Sequence, residues 1–136
     1  MADKPRFDLP TIEAESRPFW DAAKEGRLLI QRCVACGRAQ HYPRAFCAAC
    51  WSDQVTWEEA SGRGTLYTWS TVHMNDLAPF AERVPYIAAA VDLDEGPRLM
   101  TNIVEADPGD LRVGMAVTVV FRALDEEVTA PFFRPA

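Results

Sequence analysis

Residues 65–73 read T-L-Y-T-W-S-T-V-H, a run dense in side chains that favour extended backbone. Strict alternation sends Leu66, Thr68, Ser70 and Val72 to one face and Tyr67, Trp69, Thr71 and His73 to the other. Further extended segments follow. Residues 86–93 form an apolar strand, and the turn Asp94-Glu95-Gly96-Pro97 leads into a strand over 98–104. A second turn at 107–110 and the approach 111–115 lead to strands at 116–123 and 128–133. Five strands at this spacing, opened by Gly62-Arg63-Gly64 and lacking a long helix, predict a small closed barrel of the OB-fold type. An SH3-like barrel has the same strand spacing.

The first half is patterned differently. Residues 27–32, 40–43 and 55–59 read as short strands too poor in apolar residues to fold alone. Ahead of them, 11–26 reads as one or two short helices, with Ser16 as the cap, Pro18 in the first turn and Gly26 as the stop. Phe19, Trp20 and Ala23 share one face at helical spacing. So short a helix needs a surface to dock on, either the body of its own chain or a partner. Residues 1–10, with Pro5 and Pro10, are expected to be an extended arm. The chain thus divides into an arm and helix (1–26), a ribbon (27–60) and a barrel (61–136), mainly β in class.

The strongest chemical signal lies in the ribbon. The cysteines are Cys33, Cys36, Cys47 and Cys50, two Cys-x-x-Cys pairs with ten residues between them and no sulfur left over. Two residues of spacing let a tight knuckle turn both sulfurs toward one point, and Gly37 follows the first pair where a positive φ is needed. Two facing knuckles supply the four tetrahedral ligands of a structural zinc site, with no open position for catalysis. Iron or an iron–sulfur cluster uses the same ligands, since spacing does not identify the metal. Two disulfides are the other arrangement. The start Met-Ala-Asp-Lys has no apolar export region, so a reducing cytoplasm is expected instead. A structural zinc contributes on the order of 10–16 kcal/mol of apparent binding free energy, enough to stand in for a small core.

Composition narrows the function classes. The 136 residues are 49% hydrophobic and 25% charged, ordinary for a globular chain, and no apolar run is long enough to cross a membrane. A net charge of −6 argues against coating nucleic acid. Locally, Arg27, Arg32, Arg38 and Arg44 fall between residues 27 and 52 with no acidic residue among them. They serve either to neutralise the thiolates or to meet phosphates or an acidic surface. His41 and His73 sit in no nucleophile–base pattern, and no phosphate-loop, dinucleotide or Gly-x-Ser-x-Gly motif is present. Asp92, Asp94, Glu95 and the run Asp125-Glu126-Glu127 read as solvated loop charges.

Taken in order, these features resemble the zinc-ribbon plus OB-fold proteins associated with acyl-CoA enzymes. The resemblance rests on Pro18-Phe19-Trp20, Glu25-Gly26-Arg27-Leu28, Gln31-Arg32-Cys33, Cys36-Gly37, Tyr42-Pro43-Arg44 and Cys47-x-x-Cys50. It continues through Ser61-Gly62-Arg63-Gly64-Thr65, Pro85-Tyr86, Val113-Gly114-Met115 and Phe133-Arg134-Pro135. One departure is Trp51, where the second knuckle of such proteins often carries glycine, and a slight distortion of that turn is expected.

The resemblance implies a non-catalytic, cytoplasmic accessory subunit. It would assemble with a thiolase-like enzyme, including aldolases of steroid side-chain breakdown, or with a MaoC-like hydratase, and handle acyl-CoA at a shared site. CoA carries phosphates and an adenine, for which Arg44 and Arg63 are candidate anion ligands and Tyr67 or Trp69 a stacking surface. Cross-strand packing within the barrel is the other use of Tyr67 and Trp69. Phe19, Trp20, Phe132 and Phe133 exceed what a ribbon and a small barrel readily bury and are candidates for the partner interface. The alternative from another class is a single-stranded nucleic-acid binder, for which OB strands rich in aromatics make a stacking platform.

Overall fold

The computed structural model describes residues 6–136, so Pro5 and the first half of the expected arm lie outside the described residues. Of the one or two helices expected over 11–26, a single one forms, α1 (Arg17–Lys24), with Pro18 in its first turn. Ser16 stands at the cap position, but its hydroxyl turns back to the Glu13 carbonyl and amide, so the expected capping bond is not made. Gly26 stops the helix at φ +77°. Its N–H bonds to the Ala23 carbonyl, and that of Arg27 reaches Ala22, which satisfies the carbonyls of the last turn.

The ribbon is an antiparallel sheet in the order β2-β1-β3, made of β1 (Leu29–Cys33), β2 (Ala39–Gln40) and β3 (Val55–Glu59). It is not an isolated module. Leu28 and Ile30 belong to the same buried cluster as Leu66, Val91, Leu99, Val117 and Phe133 of the barrel. Helix α1 packs on β1, β7 and β8 and adds Phe19 to that cluster. The ribbon therefore gains stability from the barrel core as well as from its sulfur cluster.

The barrel comprises β4 (Arg63–Val72), β5 (Tyr86–Leu93), β6 (Arg98–Ile103), β7 (Ala116–Ala123) and β8 (Thr129–Pro135). It closes in the order β4-β5-β6-β8-β7, with β6 and β8 parallel and every other pair antiparallel. A five-stranded Greek-key barrel of this order is an OB-fold, which settles the choice against an SH3-like meander.

Two local features depart from strict alternation. The register between β4 and β5 shifts between Leu66 and Thr68, because Leu66 pairs with Val91 and Thr68 with Ala90. Tyr67 is the extra residue of a β-bulge, and the bulge inverts every later side chain on β4. Leu66 and Trp69 therefore both face inward, opposite Val91 and Ala89, which corrects the assignment of Leu66, Thr68, Ser70 and Val72 to one face. The second departure is at the parallel seam, where Ile103 and Phe133 are the paired residues. Beyond that pair the ladder does not continue toward Met100, and Pro131 on β8 has no N–H to offer β6 there.

Candidate metal centre and barrel-seam groove

The two knuckles are near copies. In the first, the Gly37 N–H bonds to the Cys33 carbonyl (2.8 Å) and the Cys33 N–H to the Arg38 carbonyl (2.8 Å). In the second, Trp51 N–H bonds to the Cys47 carbonyl (2.9 Å) and Cys47 N–H to the Ser52 carbonyl (2.8 Å). Trp51 takes φ +68° against +79° at Gly37, so the expected distortion of the second turn does not occur. The Trp51 ring stacks on Phe46 with centroids 5.1 Å apart.

The ligand atoms of Cys33, Cys36, Cys47 and Cys50 all lie within 4.8 Å of one another. Cys33 and Cys50 sulfurs are 3.6 Å apart and those of Cys36 and Cys47 3.7 Å. Tetrahedral zinc–sulfur bonds of about 2.3 Å place sulfurs about 3.8 Å apart, so the donor set fits the ion. Electrostatics call for a cation. Backbone N–H groups of Cys50 and Ala49 hold the Cys47 thiol down to about 6, and those of Cys36 and Ala35 also lower Cys33. The Ser52 N–H favours the Cys50 thiolate too, yet its sulfur neighbours push that thiol up to about 12. Four thiolates at this separation require a positive ion between them. Arg32 braces the first knuckle by donating to the Gly37 carbonyl (2.8 Å) while pairing with Glu58.

The chain between the knuckles is shaped by two glutamines. Buried Gln31 accepts from Arg44 N–H (3.0 Å) and donates to the Arg44 carbonyl (3.0 Å). Gln40 donates to Gln31 and to the Phe46 carbonyl and accepts from Ala48 N–H. This network presents His41 and Tyr42 toward the barrel seam. Here a groove of about 440 Å³ is lined by Trp20, His41, Tyr42, Phe80, Met100 and Phe132, with the arm residues Phe7 and Asp8 along one side. The Tyr42 hydroxyl accepts from the Met100 N–H at 3.0 Å, tying the ribbon to the edge of β6. His41 is buried, its ring 5.4 Å from Phe19 and 4.7 Å from Tyr42, and burial pushes it down to about 4. Asp8 bridges Arg6 (2.9 Å) and Arg83 (3.0 Å), and the Arg6 hydrogen bond holds its carboxyl below the usual range.

The sequence candidates distribute unevenly over this frame. Phe133 is fully buried and Phe19 nearly so, which corrects their assignment to a partner interface: both are core side chains of this chain. Trp20 and Phe132 remain half-buried on the groove wall. Trp69 is half-buried and packs against the barrel core, the cross-strand use of this ring. Tyr67 points outward, but the Arg98 guanidinium covers its ring at 3.4 Å. Arg63 faces Asp94 at 3.6 Å, whereas Arg44 is exposed. Arg44, Arg63, Tyr67 and Trp69 line neither the seam groove nor the cleft beside the knuckles. Asp92 is not a loop charge but part of β5, paired with Arg98 at 2.6 Å. Sequence reasoning missed Gln31 and His41, whose roles depend on partners distant in the chain.

Family models for the ChsH2 rubredoxin-like zinc ribbon domain and the ChsH2 C-terminal OB-fold domain match residues 20–56 and 57–122. A DUF35 domain-containing scaffold protein of Methanocaldococcus jannaschii is 38% identical over 79% of this chain and 77% of the relative. A probable enoyl-CoA hydratase alpha subunit of Thermomonospora curvata is 39% identical over 93% of this chain, which spans only 39% of that relative's length. Among solved structures, a chain of an Ltp2-ChsH2(DUF35) aldolase superposes with a TM-score of 0.82 at 38% identity, covering 93% of this chain and 98% of that one. The chain belongs to the DUF35 family of ChsH2-type proteins, a zinc ribbon followed by an OB-fold.

Proposed function

We propose that this chain is a non-catalytic accessory subunit, acting in the cytoplasm, that assembles with a thiolase-superfamily enzyme or a MaoC-like hydratase and supports its handling of acyl-CoA. Its likeness to the chain of the Ltp2-ChsH2(DUF35) aldolase over nearly the full length of both carries this reading. Relatives named as scaffold proteins and as hydratase alpha subunits support it. Arm and helix (1–26), ribbon (27–60) and barrel (61–136) would act as one docking body, since ribbon and barrel share a core. No helix among the described residues is long and apolar enough to cross a membrane.

Trp20 and Phe132 on the groove wall are the interface anchors in this reading, and exposed Arg44 and Arg63 meet the phosphates of CoA. A cleft between the knuckles and the β5–β6 turn adds Arg38, beside Arg32 and Arg98, which are paired with Glu58 and Asp92. The nucleic-acid reading loses its stacking platform, because Trp69 turns inward and Arg98 covers Tyr67.

Co-expression with a candidate thiolase-like or hydratase partner, followed by size exclusion and activity assay, tests the proposal. Co-elution is expected, with Trp20→Ala weakening assembly by about 2 kcal/mol or more if Trp20 is an anchor. Separate elution with a partner fully active alone would overturn it.

A further inference from the structure

We propose that the free edge of β4, residues 68–72, is a pairing surface for a second copy of this chain, with two β4 strands meeting antiparallel about a two-fold axis near Ser70. The inference goes beyond the accessory-subunit reading and uses none of its anchor residues.

β4 is held on both sides only near its start. β7 pairs with Arg63, Gly64 and Thr65. The connector ahead of β7 adds two bonds, from Leu66 N–H to the Met115 carbonyl (2.9 Å) and from Gly114 N–H to the Leu66 carbonyl (2.8 Å). The bulge at Tyr67 then bends the strand. From Thr68 to Val72 it stays in unbroken register with β5 on one side, and among the described residues no strand lies on the other. Successive strand residues direct their N–H and C=O groups to opposite sides, so about two or three of these five leave both groups without a sheet partner. None of residues 67–73 is buried, which leaves this edge open to solvent.

Proteins guard such edges with charged side chains or proline. Residues 64–75 contain no Asp, Glu, Lys, Arg or Pro, in a chain whose net charge is −6. An acidic surface repels its own copy, and this uncharged stretch lets two copies approach without that penalty. The two ends of the edge also match each other. Centring the pair on Ser70 sets Thr68 against Val72 of the second copy and brings Met74 up to the connector that flanks Leu66 there. Met74 is 81% exposed, and Val113 on that connector is 73% exposed. Each copy's Met74 thus meets the other's Val113, and both leave water. Antiparallel pairing over five residues forms about four to six hydrogen bonds between the copies. The contact is isologous, so it closes at a dimer and leaves no edge for a third copy.

Sedimentation equilibrium of the full zinc-loaded chain, up to millimolar concentration, tests this. A reversible monomer–dimer equilibrium is expected, with hydrogen exchange at 68–72 slowing as the dimer fills. Ser70→Lys sets two like charges face to face at the axis and should weaken the dimer about tenfold or more. Ser70 is exposed, so the variant's thermal unfolding and zinc content should match the parent's. Ser70→Cys should form a disulfide-linked dimer under mild oxidation, while Glu126→Cys, exposed at the β7–β8 turn, should not. A chain that stays monomeric at millimolar concentration overturns the proposal. So does a dimer that Ser70→Lys leaves intact. Protection of 68–72 that arises only with an added enzyme would assign the edge to that enzyme and overturn it too. The dimer assay contains no enzyme, so its failure leaves the assembly reading standing, and failed co-elution does not touch this result.

Discussion

Gly37 and Trp51 occupy the same turn of two facing knuckles, at φ +79° and +68°, and donate equivalent N–H bonds to Cys33 and Cys47. Left-handed backbone costs an L-residue roughly 1–2 kcal/mol, a cost glycine avoids. Trp51 offsets it by stacking on Phe46. Gly37 has open space where a Cβ would go, so strain alone decides there. Gly37→Ala should lower stability by about 1 kcal/mol with zinc retained. Trp51→Gly should stay within about 1 kcal/mol of the parent, because strain relief and lost stacking oppose each other. Thermal unfolding with metal analysis reads both. A large loss in Trp51→Gly would mean that the ring anchors the ribbon.

Purified protein should carry one zinc ion per chain, and Cys47→Ser should lose most of it. Cys47, like Cys33, is a buried sulfur that backbone amides favour as a thiolate, and a hydroxyl cannot take that role at neutral pH. Elemental analysis that found iron, or no metal, in freshly prepared protein would contradict the assignment. The ribbon should loosen in the variant while the barrel strands stay protected from hydrogen exchange.

The metal site and the strand count were legible because their signals are local. Cys-x-x-Cys spacing and runs such as 86–93 state their structure within a few residues. What stayed hidden depends on distant pairing. Nothing in T-L-Y-T-W marks Tyr67 as an extra residue, since the bulge exists only against Val91 and Ala90 on β5. Phe19 and Phe133 were legible as apolar, but their burial depends on α1 closing over β8. The groove brings Pro131 and Phe132 beside Met100 and Thr101, a juxtaposition across about thirty residues that no sequence window contains.

The bulge makes a prediction that separates neighbouring aromatics. Trp69→Ala removes a ring packed on the core and should cost about 2–3 kcal/mol. Tyr67→Ala loses an exposed ring and its Arg98 contact, worth about 1 kcal/mol or less. Denaturant unfolding of both variants measures the difference. Equal losses would place both rings on one footing and contradict the inward turn of Trp69.

Gly64 lies where β4 is squeezed between β5 and β7, paired with Leu93 and Val117. A Cβ there would sit 2.6 Å from the Asp92 carbonyl oxygen and 2.8 Å from Val91 Cγ1. Backbone cannot yield as a side-chain tip does, so Gly64→Ala should destabilise by about 2 kcal/mol or more. A variant as stable as the parent would show that the barrel closes more loosely at this corner.

His41 should also give the fold an acid-sensitive component. Its pKa falls from 6.5 to about 4 on folding, because burial penalises the charged ring. Above pH 6.5 the ring is neutral in both states, and its contribution is fully present. Below that, the unfolded chain takes up a proton that the folded chain refuses, so stability falls as pH drops from 6.5 toward 4. The full loss is on the order of 3 kcal/mol, from about 1.4 kcal/mol per pH unit. Asp8 in the same groove, with a lowered carboxylate pKa, adds its own loss as pH falls further, through the carboxylate range. Urea unfolding at pH 7.0, 6.0 and 5.0, with zinc content followed in parallel, should show the decline. His41→Phe should flatten it. The same slope in parent and variant, with zinc still bound, would show that the imidazole is not the group responsible.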